Sequence, residues 1–195
     1  MTRGPARLLF CLVWPCALAA QPVTYRLDPL HSTVQFEVSH FKTSTLRGRF
    51  AMLNGLVTLD AAAQRGEVGL SVDTATVDTG LKVLDARLRQ PDLLDSSGHP
   101  QAWFVASRFA YSDGRVDEVR GEFTLRGISQ PLALKALRFA CRQDERLKTE
   151  VCGGDFEATL LRSEFGATFG LPFVGDKVRL LIQVEALRDP DLPQK

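Results

Sequence analysis

The chain has 195 residues, with 24 Lys and Arg against 23 Asp and Glu and a formal net charge of +1. That balance lacks the basic excess expected of a nucleic-acid binder, and it gives no polybasic patch for an anionic membrane surface. A hydrophobic fraction of 45% and this length suit one globular domain, in the size range where all-β barrels form single units.

Residues 1–20 read as a cleaved secretory signal. Arg3 and Arg7 make a positive start, and Leu8 to Ala19 form a short apolar run interrupted by Pro15. Ala17-Leu18-Ala19 is a small-residue cleavage site, with the cut expected after Ala19 or Ala20. The run is too short to span a bilayer stably, so an uncleaved anchor is the weaker alternative. Cys11 and Cys16 follow Phe10 and Pro15, where a lipoprotein signal needs a small side chain. No other apolar run is long enough for a span, so the mature chain is expected to carry no integral membrane segment. The domain is expected over 21–190, with a frayed tail at 191–195.

Beyond the signal, alternation dominates. Thr24 to Leu27 is a short entry strand. In Thr33 to Phe41, Val34, Phe36 and Val38 fall on one side and Gln35, Glu37 and Ser39 on the other, because successive strand side chains point to opposite faces. Leu46 to Leu53 follows, and Asn54-Gly55 reads as a hairpin turn before a strand at Leu56 to Asp60. Glu67 to Thr74 alternates again. Gly80 to Leu94 departs from this period. Leu81, Leu84 and Leu88 recur at helical spacing, Asp78 or Thr79 can cap the start, and Pro91 marks the stop. Strands resume at Trp103 to Tyr111, Val119 to Arg126, Leu132 to Cys141, Cys152 to Arg162 and Val178 to Leu187, with turns at Ser112-Asp113-Gly114 and Gly127. About eight main strands with one short helix make an all-β, antiparallel fold that must bury its apolar face in a sandwich or close into a barrel, and an eight-stranded barrel, the expected form, is wide enough inside for one small ligand.

The two cysteines outside the signal, Cys141 and Cys152, predict a disulfide in an oxidising compartment. The alternatives are two free thiols or two metal ligands, and no His lies close enough in sequence to complete a zinc set. His31 and His40 fit no strand or helix pair, so no metal site is expected. No catalytic residue is expected either. Asp78-Thr79-Gly80 looks like the loop of an aspartic protease, but that chemistry needs two carboxylates sharing a proton, and one D-T-G requires a dimer to supply the second. The same tripeptide serves as a helix cap. Ser32, His31 and Asp28 are neighbours in one short segment and cannot converge as a triad.

Taken in order, Asp28-Pro29-Leu30-His31-Ser32, Val34-x-Phe36-x-Val38-x-His40, Arg47-Gly48-Arg49-Phe50, Asp78-Thr79-Gly80, Gly121-x-Phe123-Thr124, Arg162-Ser163-x-Phe165-Gly166 and Val174-Gly175-Asp176 resemble the YceI-like family of bacterial periplasmic proteins along the mature length. The chain departs from the family pattern at Leu84, where an Arg is common, and at Arg87, where a His is common. The resemblance implies a lipocalin-like barrel that encloses a prenyl-chain lipid, such as a polyprenyl phosphate or an isoprenoid quinone. It implies a periplasmic carrier, store or sensor with no established catalysis and no cofactor beyond the bound lipid.

On that reading the pocket is expected to be lined by Val34, Phe36, Val38, Phe50, Val72, Leu81, Leu88, Phe104, Phe123 and Leu125. Phe165, Phe169, Leu171 and Phe173, in a segment without a clean period, are expected either to flap over it or to pack as a buried loop on the barrel end. Arg87 and Arg89 are the candidates for a headgroup. The plain alternative is a solid core, which would make the protein an interaction module presenting its loops. Monomer and homodimer both remain open.

Overall fold

The computed structural model describes residues 21–51, 53–189 and 191. The expected signal at 1–20 lies outside the described residues, as does the tail apart from Asp191. Ten strands form one antiparallel sheet: β1 (Val23–Leu27), β2 (Thr33–His40), β3 (Ser44–Phe50), β4 (Leu53–Asp60), β5 (Arg65–Asp73), β6 (Gln101–Ser112), β7 (Arg115–Leu125), β8 (Ile128–Asp144), β9 (Thr149–Leu161) and β10 (Val174–Arg188). One short helix, α1 (Lys82–Leu88), interrupts them.

Eight of the strands make a closed ring, β1-β4-β5-β6-β7-β8-β9-β10, shut by pairing of β1 with β10. Strand β10 is long enough to serve two partners on one edge. Its last residues, Ala186 to Arg188, pair with β1, while Val174 to Gln183 pair with β2. The β2–β3 hairpin therefore continues the wall above β1. At its far side β3 meets the chain again through a bridge between Arg49 and Asp78, made by both backbone hydrogen bonds at 2.9 Å. Strand pairing thus closes the wall all round, and the connections β2–β3, β5–β6, β7–β8 and β9–β10 gather at one end, the mouth, opposite the closed end packed by Tyr25, Cys152 and Ala186.

The inward faces follow the alternation. On β6, Ala102, Phe104 and Ala106 are buried while Trp103 and Val105 face out. On β10, Leu180 and Ile182 are buried while Arg179 is exposed beside Glu37 and Glu157. The β6–β7 turn sets Asp113 at φ 51° and Gly114 at φ 73°, the positive pair that a tight hairpin twist requires. Cys141 and Cys152 sit directly opposite each other on β8 and β9 and form the disulfide.

Two expectations are corrected. Asn54-Gly55 is no turn: both lie inside β4, opposite Ser71 and Leu70. The chain does not fold back there because β3 and β4 are not partners, so it has to cross from β2 to the far side of β1. Gly55 is needed for another reason. Its φ is 152°, and a Cβ would stand 2.1 Å from the Gly69 carbonyl oxygen. The helix is also shorter than Gly80 to Leu94. It covers Lys82–Leu88, with hydrogen-bonded turns to Pro100 after it. Its N-cap, Leu81, has no capping side chain, and the Asp85 carboxylate instead reaches back to accept from the Thr79 amide and hydroxyl, each at 2.7 Å.

Candidate functional site

Above the closed end the inward residues do not meet. They surround a cavity of about 370 Å³, within the range of small-molecule pockets. Its walls are strand residues in alternation: Phe36 and Val38 of β2, Phe50 of β3, Val72 of β5, Phe104 of β6, Phe123 and Leu125 of β7, and Leu180 and Ile182 of β10. Its cover is Leu84 and Leu88 of α1 with Leu93 and Leu94 of the following turn. Polar side chains in the lining, among the described residues, are His40, Thr74, Arg87 and Arg162. All four stand at strand ends or in connections of the same end of the barrel, so the few polar groups of an otherwise apolar lining lie toward that end.

Arginines organise this mouth, and most of them bind backbone. Arg162 is 7% exposed. Its Nε donates to the Gly175 carbonyl at 2.8 Å, Nη1 to those of Ala167 and Phe169 at 2.5 and 2.9 Å, and Nη2 to that of Val174 at 2.9 Å. The β9–β10 connection is wrapped around this one guanidinium. Burial depresses its pKa, and the charge of Asp176 partly offsets that. Arg126 binds the carbonyls of Phe165, Pro91 and Leu93 in the same way and ties the turn after α1 to β7. Arg87 is different. It forms a bidentate pair with Asp92 at 2.7 and 2.6 Å, which raises its pKa, and its guanidinium lies 3.8 Å from the centroid of the Phe169 ring.

The expected site residues divide. Val34, Phe36, Val38, Phe50, Val72, Leu88, Phe104, Phe123, Leu125 and Phe169 line the cavity, and so does Arg87. Leu81 does not: it precedes α1 and is 64% exposed. Phe173 does not: it stacks outside on Phe41 at 5.7 Å and is 63% exposed. Phe165 is buried behind the lining, with its ring edge-on to Phe123 at 5.6 Å. Of the expected flap only Phe169 reaches the cavity. Arg89 is spent on structure, donating to the carbonyls of Ala75 and Val77 at 2.9 and 3.3 Å.

Sequence reasoning passed over Leu46, Leu53, Leu70, Val77, Leu132, Leu134 and Leu160, which also line the cavity. The alternation that found their neighbours could have found most of them. His40 and Arg162 carried a signal only as parts of longer motifs. Asp78 of the D-T-G faces Arg49, not a second carboxylate, at 3.1 Å. The Gly80 amide first and Arg49 second hold its pKa below the usual carboxylate range, the reverse of a carboxyl that keeps a shared proton.

A closed antiparallel barrel with a hollow apolar interior, capped at one end by a helix and loops, defines a class of small hollow barrels. Residues 25–186 match the profile of the YceI-like domain, and the chain belongs to that family. It is 30% identical over 175 residues to a UPF0312 protein of Pectobacterium carotovorum, covering 88% of each chain. Among solved structures, Burkholderia cenocepacia BcnA superposes with a TM-score of 0.68 at 23% identity, covering 82% of this chain and 99% of that one. A polyisoprenoid-binding domain from Saccharophagus degradans superposes with a TM-score of 0.62 at 16% identity, covering 86% and 99%.

Proposed function

We propose that this protein binds an isoprenoid lipid in the periplasm, holding the tail in the barrel and the headgroup at the mouth, as a non-catalytic carrier, store or sensor. The observation that carries the reading is the cavity of about 370 Å³, apolar through its depth, with its polar groups gathered at one end. An amphiphile with a long branched tail has that same polarity profile. Each buried isoprene unit, about five carbons at roughly 0.8 kcal/mol each, contributes on the order of 4 kcal/mol before ordering and association costs. The tail therefore supplies most of the affinity, and His40 and Arg87 stand nearest the head. The polyisoprenoid-binding description of the Saccharophagus degradans neighbour supports the same ligand class. A solid-core interaction module does not fit an interior with this volume.

The test is direct. The mature chain is purified without added lipid and extracted with organic solvent, and the extract is read by mass spectrometry. An isoprenoid at near-stoichiometric yield is expected, and the emptied protein should take up polyprenyl phosphate, prenol or quinone. An extract without isoprenoid, together with refusal of all three, removes the reading.

A further inference from the structure

Beneath the main cavity lies a second one of about 70 Å³, also apolar, lined by Val57, Phe109 and Phe156 among others. The two linings share Leu70, Phe104, Leu134 and Ile182. Those residues come from β5, β6, β8 and β10, on different sides of the ring, so together they form a partition across the barrel. Leu70 and Phe104 are direct cross-strand partners. Phe104 has the largest side chain of the set. Its ring lies over the bare backbone of Gly121, where a Cβ would stand 2.9 Å from the ring tip. The interior is therefore a large chamber with a small cavity below it, and these four residues stand at the boundary between them.

Resting on the isoprenoid-binding reading, we propose that this partition, with Phe104 as its principal member, is the length stop that sets how many isoprene units the barrel accepts. A tail gains from burial only as far as the wall. Each unit beyond that has to stay at the wet mouth or displace packed side chains, and a close-packed ring does not yield without cost. Affinity should then climb with tail length and level off. The small lower cavity is the space that a longer tail would enter if the ring were absent.

The experiment uses a ladder of all-trans prenols, each one unit longer than the last, loaded onto emptied protein and scored by native mass spectrometry in competition. For the unmodified protein, affinity should rise by about tenfold or more per unit and then reach a plateau. Phe104→Ala should move that plateau to tails at least one unit longer, because it joins the two cavities. Leu134→Ala should move it the same way, and Phe104→Leu serves if the alanine variant loses its cooperative unfolding. Val83→Ala, on the exposed face of α1 and in neither lining, should leave the position of the plateau unchanged. A plateau at the same length in the Phe104 and Leu134 variants overturns the length stop while leaving lipid binding intact. Refusal of every prenol by the unmodified protein instead overturns the binding reading itself.

Discussion

The two ends of this barrel use one sequence pattern and reach opposite results. At the closed end Tyr25, Leu27, Cys152 and Ala186 pack into a core beside the small lower cavity. Around that end the wall is tied laterally: β1 lies between β4 and β10, and the disulfide pins β8 to β9. At the open end the same alternation lines a chamber several times larger. There the seal is made of loops, held by arginine side chains on carbonyl oxygens. Alternation decides which residues face inward. Whether they meet depends on how the ends are shut.

The largest effect should come from Arg162→Met. It strips donors from four carbonyls, of which that of Ala167 is buried with the guanidinium, so about 3 to 5 kcal/mol of stability should be lost. Urea unfolding checks the loss. Lipid uptake by the fraction still folded should also fall, since the β9–β10 connection walls the mouth. Unchanged stability would mean that the loop holds itself and that the contrast between a laterally tied wall and a side-chain seal is wrong.

Opening the disulfide probes the other end. With Cys141 and Cys152 separated by 11 residues, replacing both by Ser should cost about 3 kcal/mol through the freed unfolded chain. Lipid binding per folded molecule should not change, because the bond lies at the end away from the mouth. A variant that folds yet loses its ligand would show that the two ends are mechanically coupled.

The smallest effect is a titration on the seam between them. His31 Nδ1 lies 2.6 Å from Asp28 Oδ2, in the link from β1 to β2. The Asp28 carboxylate raises the imidazole pKa above its ordinary 6.5, and the same pair lowers that of Asp28. The histidine's share of stability is therefore complete below its unfolded pKa and fades as pH rises through the higher folded value. The aspartate's share is present above its unfolded pKa and fades as pH falls through the lowered one. Since His31 is exposed, the change is expected in the NMR midpoint of its ring protons more than in global stability. That midpoint should lie above 6.5 and return to the ordinary range in Asp28→Asn.

Much of the architecture was legible beforehand. Period-two stretches marked Phe36 and Val38 on β2 and Phe104 on β6 as inward, and the Asp113-Gly114 turn lay where its residue types require positive φ. Asn54-Gly55 misled because the dipeptide reports backbone freedom and not strand partnership. The freedom is used at Gly55 to let the backbones of β4 and β5 approach closely. Leu81 misled because the helix begins one residue after it and leaves it exposed, and Phe165 and Phe173 misled because a loop has no period. Only its path decides that Phe169 reaches the cavity while Phe173 stacks outside on Phe41. Arg87 and Arg89 looked alike on one short helix, yet one lines the mouth and the other holds carbonyls of a preceding turn.

From its residues alone the chain specified an antiparallel barrel of alternating faces, one short helix and a cysteine pair, since these follow from neighbours along the strand. Three dimensions were needed to decide that the interior is divided into two cavities, that Arg162 is buried among carbonyls and that β10 serves both β1 and β2. Those outcomes rest on residues far apart in the chain meeting across the ring, and no local period encodes the distance between opposite walls.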